Sequence, residues 1–207
     1  MASQFEYSDY GEKWFRDKNS FEDDLEEMWG YRWSVSSEVG KLKAVLLRRP
    51  GKEIENISNP KKWRWGDTLD PAKAREQHDR LADIYREHGA KVYYVENQRV
   101  DRPNALFMRD NVLGTPEGAI VCRQALKIRR GEEKAVAETL SSIGVPIIRT
   151  ISGEGVFEGA CALWVDRKTK KYLEKNGVEV IEIDVSELMK AYGSLHCMTA
   201  FLSREEI

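Results

Sequence analysis

The stretch DPAKAREQHDRLADIYREHGAKVYYV, residues 70–95, decides the fold class of this protein. An Asp-Pro pair at its start favours the first turn of a helix, and the pattern predicts a helix that runs to about His88. Gly89 is placed to end that helix, and Ala90–Val95 has the composition of a strand. We therefore predict a helix that leads directly into a strand, with one glycine between them.

The same helix-glycine-strand unit occurs twice more along the chain. Gly144 is followed by VPIIRT, and Gly177 is followed by VEVIEI. Apolar runs predict further strands at Leu42–Leu47, at 112–114 and at 119–122. The charged residues around the helices are interpreted as solvent-facing. A recurring unit of this kind is typical of an internally repeated α/β architecture.

The third unit is shorter than the others. Gly89 and Gly144 are 55 residues apart, whereas Gly177 follows Gly144 by 33. Before the third helix there is only the apolar run ALWV, at 162–165, which continues directly into the charged segment DRKTKK. The third unit is therefore expected to lack one or two strands.

The first thirty residues hold nine acidic and three basic side chains. Ser20 can cap a short helix, with Asp23 three residues later, and Gly30 can end it. The apolar side chains of that helix share one face: Phe21, Leu25, Met28 and Trp29. We predict an acidic N-terminal arm, residues 1–32, that packs this face onto the remaining domain, residues 33–207. A docking segment for a partner is the alternative.

The overall composition is that of a globular protein. Of 207 residues, 33 are Lys or Arg and 35 are Asp or Glu, which gives a net charge of −2. Nucleic-acid-binding proteins usually carry a basic excess, so no nucleic acid is expected as a partner. The apolar runs are far shorter than the roughly 18 residues of a membrane helix. Three cysteines do not form a disulfide framework, so we expect a cytoplasmic protein that binds no membrane.

Three short stretches place potentially reactive side chains beside glycines or at predicted strand ends. They are RPNALFMRDN at 102–111, GEGVFEGAC at 153–161 and GSLHCMT at 193–199. Asp110 would follow an apolar strand, and Glu158 would precede the strand ALWV. Cys197 and His196 would be neighbours on a strand and would therefore point to opposite faces. A surface ion pair for Asp110 and a structural thiol for Cys197 are the alternatives. The Cys and His residues lack the spacing of a metal site, so none is predicted.

Taken together and in this order, these stretches resemble the motifs of the guanidino-group-modifying enzymes. That superfamily includes arginine deiminase, dimethylarginine dimethylaminohydrolase, agmatine deiminase and the arginine:glycine-type amidinotransferases. PNALFMRD is similar to the PN-x-x-F-x-RD motif, FEGAC to the EGGD or EGAD motif, and GSLHCMT to the catalytic-cysteine motif. The resemblance covers about Trp33 to Arg204. It implies an αβ-propeller, or pentein, fold of repeated ββαβ units.

The resemblance also implies a role for each matched side chain. Cys197 would attack a guanidinium carbon as a thiolate and form a covalent thiouronium intermediate. Asp110 would bind the guanidinium N–H groups, because carboxylates hold a planar cation through paired hydrogen bonds. Glu158 would orient a catalytic histidine. The substrate pocket would be shaped by Asn104, Phe107 and Arg109. No cofactor is implied.

The sequence departs from the family pattern in two places. The family carries its catalytic histidine in a His-x-Asp motif between the Glu and Cys motifs, a context that none of His78, His88 and His196 has. The short third unit lies at this point, with a junction near residues 166–170. Either the sequence omits an internal stretch, which we favour because both flanks keep the family pattern, or the protein is a contracted relative. Cys161 stands where an Asp is usual.

The leading hypothesis is a cysteine-dependent hydrolase that cleaves a guanidino C–N bond of arginine or a related small molecule. One alternative is an amidinotransferase that passes the amidino group to an amine. The other is a non-catalytic pentein that binds a partner through its acidic arm and the loop Lys61–Trp65. Assembly into a homo-oligomer is left open.

Overall fold

The computed structural model describes residues 20–162, 184, 186–191 and 195–205. The predicted strand after Ala162, the junction near 166–170 and the unit around Gly177 lie outside these described residues. Residues 1–19 of the acidic arm lie outside them as well.

Helices and strands alternate along the described chain and confirm the predicted α/β class. The helices are α1 (Phe21–Trp29), α2 (Pro71–Glu87), α3 (Glu132–Ser142), α4 (Ser186–Met189) and α5 (Leu195–Met198). The strands are β1 (Leu42–Leu47), β2 (Lys91–Tyr94), β3 (Val112–Thr115), β4 (Gly118–Val121), β5 (Ile147–Thr150) and β6 (Ala200–Arg204). None of the described helices is long and apolar enough to cross a membrane.

The helix-to-strand stretch at residues 70–95 forms as predicted. The Asp70 carboxylate caps α2 by accepting hydrogen bonds from the backbone N–H groups of Ala72 at 2.8 Å and Lys73 at 3.1 Å. Gly89 follows the helix with φ of +83°, a left-handed conformation that glycine adopts without a Cβ clash. The chain then enters β2, which pairs in parallel with β1.

The strands form two three-stranded sheets of the same design. The first has the order β2-β1-β6 and the second β3-β4-β5. In each sheet an antiparallel pair is followed by a helix and then by a parallel strand. The second sheet is thus a continuous ββαβ unit, whereas the first is completed by β6 from the far end of the chain. A propeller of five such units stays a prediction.

Two of the three apolar clusters among the described residues connect most of the elements of the fold. One lies between the sheets and α3, and includes Trp33, Leu46, Val112 and Leu140. The other joins α2 to the turns around it and to the short helices α4 and α5; its members include Trp65, Leu81, Phe107, Leu188 and Met198. The second cluster fixes the elements that carry the motif residues.

The N-terminal helix is capped as predicted, and its apolar residues differ in their burial. Ser20 and Asp23 form a reciprocal capping box, and Gly30 ends α1 with φ of +72°. Only Leu25 of the four apolar residues on the predicted face is fully buried. Met28 is 68% exposed, and Phe21 and Trp29 are about two-fifths exposed. Leu25 therefore packs onto the body, Phe21 and Trp29 are partly covered and Met28 is mostly exposed, and the arm as a whole stays a prediction.

Candidate active site

The motif PNALFMRD folds into two 3-10 turns, Pro103–Leu106 and Met108–Asp110, and the predicted apolar strand is wrong. Proline has no N–H to donate and a fixed φ, so it favours the first position of a helical turn. Within the motif, Phe107 N–H donates to the carbonyl of Asn104 at 3.0 Å. Asp110 therefore lies just before β3 and not at the end of a strand.

The motif GSLHCMT also differs from its predicted conformation. Residues 195–198 form the single turn α5, and the strand β6 begins only at Ala200. The register of β6 is set by its antiparallel pairing with β1, so the preceding residues turn out of the sheet. Cys197 is half-buried against the second apolar cluster. His196 is exposed, with its ring edge-on to Phe201 at 5.9 Å between centroids.

A cleft of about 220 Å³ lies where these turns meet. Five residues singled out from the sequence line it: Asn104, Phe107, Asp110, Glu158 and Cys197. Five others complete the lining: Trp63, Arg64, Leu126, Arg129 and Ala191. The three motifs are distant in sequence, and the fold brings their side chains to one surface depression.

Arg109 is the one matched substrate-pocket residue that does not line this cleft. Its side chain is fully buried and donates through Nη2 to Glu38 at 3.0 Å and to the carbonyl of Ala162 at 3.1 Å. The guanidinium carbon also lies 4.8 Å from the centroid of the Phe201 ring. Its position therefore favours a structural contact and not a contact with the substrate.

The glycine of FEGAC allows the Glu motif to pack directly on the turn that carries Asp110. A Cβ atom on Gly159 would lie 2.5 Å from the carbonyl oxygens of both Arg109 and Val112. A side chain there would therefore collide with backbone on either side of Asp110. The preceding Glu158 accepts a hydrogen bond through Oε1 from the N–H of Ala125 at 3.1 Å.

Arg129 is a cleft residue that the sequence did not single out. It donates through Nη1 to Asp110 at 2.5 Å and through Nη2 to Glu132 at 2.8 Å. Nη2 also donates to the carbonyls of Asn104 and Phe107, at 3.3 and 3.2 Å. Burial opposes the charge of Arg129, but the carboxylates of Glu132 and Asp110 outweigh burial and raise its pKa. The segment RRGEE resembles a solvated helix start, so its pattern gave no signal of this burial.

One wall of the cleft is a loop that Asn104 holds in place. The side-chain amide of Asn104 accepts from Trp65 Nε1 at 2.5 Å and donates to the carbonyl of Trp63 at 3.1 Å. Gly66 N–H donates to the carbonyl of Lys190 at 2.7 Å. Trp65 is buried, and the loop presents Trp63 to the cleft. Asn104 therefore anchors the loop that contains Trp63 and Trp65.

The two cleft carboxylates each keep one oxygen without a hydrogen-bond partner among the described residues. Asp110 accepts from Arg129 through Oδ2, so its Oδ1 has no such partner. Glu158 accepts from the N–H of Ala125 through Oε1, so its Oε2 has none. A planar cation with several N–H donors fits such a pair. No described group of three or more His, Cys, Asp or Glu residues could hold a metal ion.

The three thiols occupy different environments. Cys122 is fully buried, and burial raises the pKa of its thiol to about 12. Cys161 is exposed but does not line the cleft. Cys197 is the only described thiol in the cleft. No histidine of the described residues lines it, and His78 is buried elsewhere, where burial lowers its pKa to about 4.

A larger cavity, about 470 Å³, lies beside α2. It is lined by charged groups that include Arg48, Arg49, Asp79 and Arg86. Arg49 and Asp79 form a paired ion contact, at 2.6 and 2.7 Å. The cavity contains none of the motif residues, so the smaller cleft is the candidate site.

These observations define an α/β protein with a thiol and two carboxylates around one cleft. The family profile for eukaryotic N,N-dimethylarginine dimethylhydrolase matches residues 56–173, more than half of the chain. A second profile, for arginine deiminase, matches residues 159–204, which include the Cys motif. The chain therefore belongs to the N,N-dimethylarginine dimethylhydrolase family, within the guanidino-group-modifying superfamily, and the resemblance seen in the sequence is confirmed.

Curated relatives of this chain include arginine deiminases. The protein from Latilactobacillus sakei is 45% identical over 65 residues, which cover 30% of this chain and 16% of the relative. Arginine deiminase 1 of Staphylococcus epidermidis is 32% identical over 111 residues, 53% of this chain and 26% of the relative. The chain thus spans about a sixth to a quarter of the length of these relatives.

Solved structures with a similar arrangement include two guanidino hydrolases. Dimethylarginine dimethylaminohydrolase from Pseudomonas aeruginosa, complexed with citrulline, has a TM-score of 0.48 at 24% identity, over 57% of this chain and 45% of that one. The N-terminal domain of a cyanobacterial arginine dihydrolase has a TM-score of 0.47 at 24% identity, over 56% and 42% of the two chains.

Proposed function

We propose that this protein cleaves a guanidino C–N bond of arginine or a related small molecule by hydrolysis, with Cys197 as the nucleophile. The convergence of Asp110, Glu158 and Cys197 on one cleft carries the proposal. These residues come from three separate motifs, and each is matched to the family position with the corresponding role. Family membership and the arginine deiminase relatives support the same chemistry.

The charges of the cleft favour a cationic group. Asp110, Glu158 and the buried Glu132 behind the cleft supply three carboxylates, against the two cations Arg64 and Arg129. A guanidinium would be held between the unoccupied oxygens of Asp110 and Glu158, with the Phe107 ring beside it. Such a cation would also favour the thiolate form of Cys197 electrostatically.

The reaction would proceed in two steps through a covalent intermediate. In the first step the Cys197 thiolate adds to the guanidinium carbon, the bond from that carbon to one nitrogen breaks, and that nitrogen leaves as ammonia or an amine after gaining a proton. The product of this step is a thiouronium group. In the second step water adds to the same carbon and gives up a proton, and the C–S bond breaks to regenerate the thiolate. With arginine and loss of ammonia, the released product is citrulline.

Both steps need proton transfer, and this requirement motivates a second candidate function. No histidine of the described residues lines the cleft, so a guanidinium-binding protein without turnover is the alternative. An amidinotransferase would instead release ornithine in the first step, which leaves the amidino group on Cys197, and in the second step an amine in place of water would attack that group and release the thiolate.

One experiment separates these functions. The protein is incubated with arginine, with and without glycine, and ammonia, citrulline and ornithine are assayed. Hydrolysis gives citrulline and ammonia independently of glycine, whereas ornithine that appears only with glycine indicates transfer. Cys197→Ser should abolish either product, and the matched control Cys161→Ser should retain it. If arginine binds but no product forms, and if Cys197→Ser does not change the binding, the proposed enzyme function is wrong and the protein is a guanidinium-binding protein.

The expected internal omission has its own test. The intact mass of the natural protein is compared with 23.9 kDa. A larger mass would support an omitted stretch near residues 166–170, and an equal mass would support a contracted relative.

A further inference from the structure

The turn that carries Cys197 is too short to be stable alone. The helix α5 spans only the four residues Leu195–Met198, and an isolated helical turn is unfavourable in water because it fixes several backbone angles for one hydrogen bond. The backbone N–H of Thr199 closes the turn by donating to the carbonyl of His196 at 3.2 Å. The position of the Cys197 thiol therefore depends on the contacts that this turn makes with the rest of the fold.

The two residues after Cys197 anchor the turn in different ways. Met198 is fully buried in the second apolar cluster, where packing holds it without a preferred direction. Thr199 is 1% exposed, and its Oγ1 is hydrogen-bonded to the hydroxyl of Tyr85 at 2.7 Å. A hydrogen bond fixes a distance and an angle as well as a contact. The bond between Tyr85 and Thr199 is therefore a directional anchor at the end of the turn.

Tyr85 provides a firm base for this anchor. It lies near the end of the 17-residue helix α2, and its ring packs against the second apolar cluster. The ring also packs against the third cluster, whose members include Val45, Leu47 and Phe201. Burial raises the pKa of the Tyr85 hydroxyl, so this group stays neutral and available to Thr199. A helix and two apolar clusters thus fix the position of one hydroxyl beside the cysteine turn.

We propose that Tyr85 is a positioning residue, which sets the direction of the Cys197 thiol through the hydrogen bond to Thr199. Tyr85 does not line the cleft, so it acts through the turn and does not contact the ligand. This inference rests on the proposed function, because it takes Cys197 to be the nucleophile. The carboxylates that would hold the guanidinium lie on other turns, so the reaction rate should depend on Tyr85 much more than the substrate affinity does.

The variant Tyr85→Phe tests this role on the full chain, because it removes the hydroxyl and keeps the ring in both clusters. A displacement of the sulfur by a fraction of an ångström should lower kcat for arginine about tenfold. The dissociation constant of arginine, measured by calorimetry, should change by less than about twofold. The loosened turn should also expose the half-buried Cys197, so iodoacetamide should alkylate this thiol faster than in the parent protein.

The matched control is Tyr94→Phe. It removes a hydroxyl that accepts a hydrogen bond from Arg86 Nη2 at 3.4 Å and lies outside the cleft. The kcat for arginine and the alkylation rate of Cys197 should both equal those of the parent protein.

Variants of Thr199 test the other end of the bond. Thr199→Ser keeps a hydroxyl and should retain most of kcat, whereas Thr199→Val has a similar shape without the hydroxyl and should lose at least as much as Tyr85→Phe. The double variant Tyr85→Phe with Thr199→Val should lose little more than Thr199→Val alone, because both changes remove the same bond. Losses in kcat that multiply would show that the two hydroxyls act separately, and the inference would be wrong.

Different results overturn the two proposals. If arginine is turned over and Tyr85→Phe keeps the kcat of the parent, or loses kcat and affinity by the same factor, Tyr85 does not position the thiol, and the proposed function stands. If the parent protein forms no product from arginine, the proposed function fails and this inference fails with it.

Discussion

Asp110 and Arg129 are 19 residues apart in sequence, yet Oδ2 of Asp110 lies 2.5 Å from Nη1 of Arg129. The same guanidinium is bonded to Glu132, which is fully buried and in turn accepts from Asn111 Nδ2 at 3.0 Å. Asp110 is therefore fixed by a buried charge network before any ligand binds. Its other oxygen, Oδ1, has no hydrogen-bond partner among the described residues.

Removal of the central cation should destabilise the fold strongly. Arg129→Met leaves the carboxylates of Asp110 and Glu132 without their partner, and an uncompensated buried charge costs about 3–5 kcal/mol. Urea unfolding of the variant should show a loss of this size. Arg130→Met is the matched control, because Arg130 donates only to the backbone carbonyls of Gln124 and Ala125 among the described residues. Its free energy of unfolding should decrease much less than that of Arg129→Met. A double variant, Arg129→Met with Glu132→Leu, should be more stable than Arg129→Met alone; equal or lower stability would contradict the network.

The parts of the fold that local sequence specifies could be predicted. The Asp70 cap, the Gly89 stop and the Ser20 capping box each depend on residues within a few positions of one another. The pairing of β6 with β1 is different, because it joins residues such as Val45 and Phe201 from opposite ends of the chain. No local pattern indicates that pairing, and the conformation of Cys197 depends on it.

The residues of the candidate site that belong to family motifs could be predicted from the sequence. The resemblance singled out Asp110, Glu158 and Cys197, and all three line the cleft. Arg129 and Arg64 could not be found in this way, because charged residues in polar segments are usually solvated. Only the burial of the first and the left-handed backbone conformation of the second, with φ of +64°, distinguish them from ordinary surface arginines.

The three thiols should react with iodoacetamide at different rates. Cys122 should resist alkylation at pH 8, because it is buried and its thiol pKa is raised to about 12. Cys161 is exposed and should react whether or not ligand is present. Cys197 should react in the free protein and be protected by arginine. Peptide mass spectrometry after timed quenching measures each rate, and equal labelling of all three thiols would argue against a ligand-binding thiol cleft.

His78 should make the stability of the protein sensitive to acid. It is fully buried, burial lowers its pKa from 6.5 to about 4, and neither ring nitrogen has a hydrogen-bond partner among the described residues. The unfolded chain takes up a proton below pH 6.5, whereas the folded chain does so only near pH 4. Stability should therefore be full above pH 6.5 and be lost as the pH falls towards 4, by about 2 kcal/mol between pH 7 and pH 5.

The contribution of His78 can be isolated by substitution. Urea midpoints of the parent and of His78→Leu are compared at pH 7 and pH 5, and the variant should show a smaller decrease. His88→Gln, at the exposed end of α2, should show the same decrease as the parent. A decrease in His78→Leu that equals that of the parent would assign the acid sensitivity to other groups.

Gly159 should be intolerant of any side chain, and the effect should reach Asp110. In Gly159→Ala the new methyl group would meet the carbonyl oxygens of Arg109 and Val112 at 2.5 Å, so the backbone on either side of Asp110 must move. Forced overpacking of this kind costs about 1–3 kcal/mol, which urea unfolding would detect. Because the displaced backbone carries Asp110, arginine affinity should fall as well. Gly155→Ala is the control: its Cβ would lie 3.2 Å from the carbonyl of Ser152 in an exposed loop, and both effects should be smaller. If Gly159→Ala kept the stability and the arginine affinity of the parent, the close packing of Glu158 and Asp110 would not be required for the site.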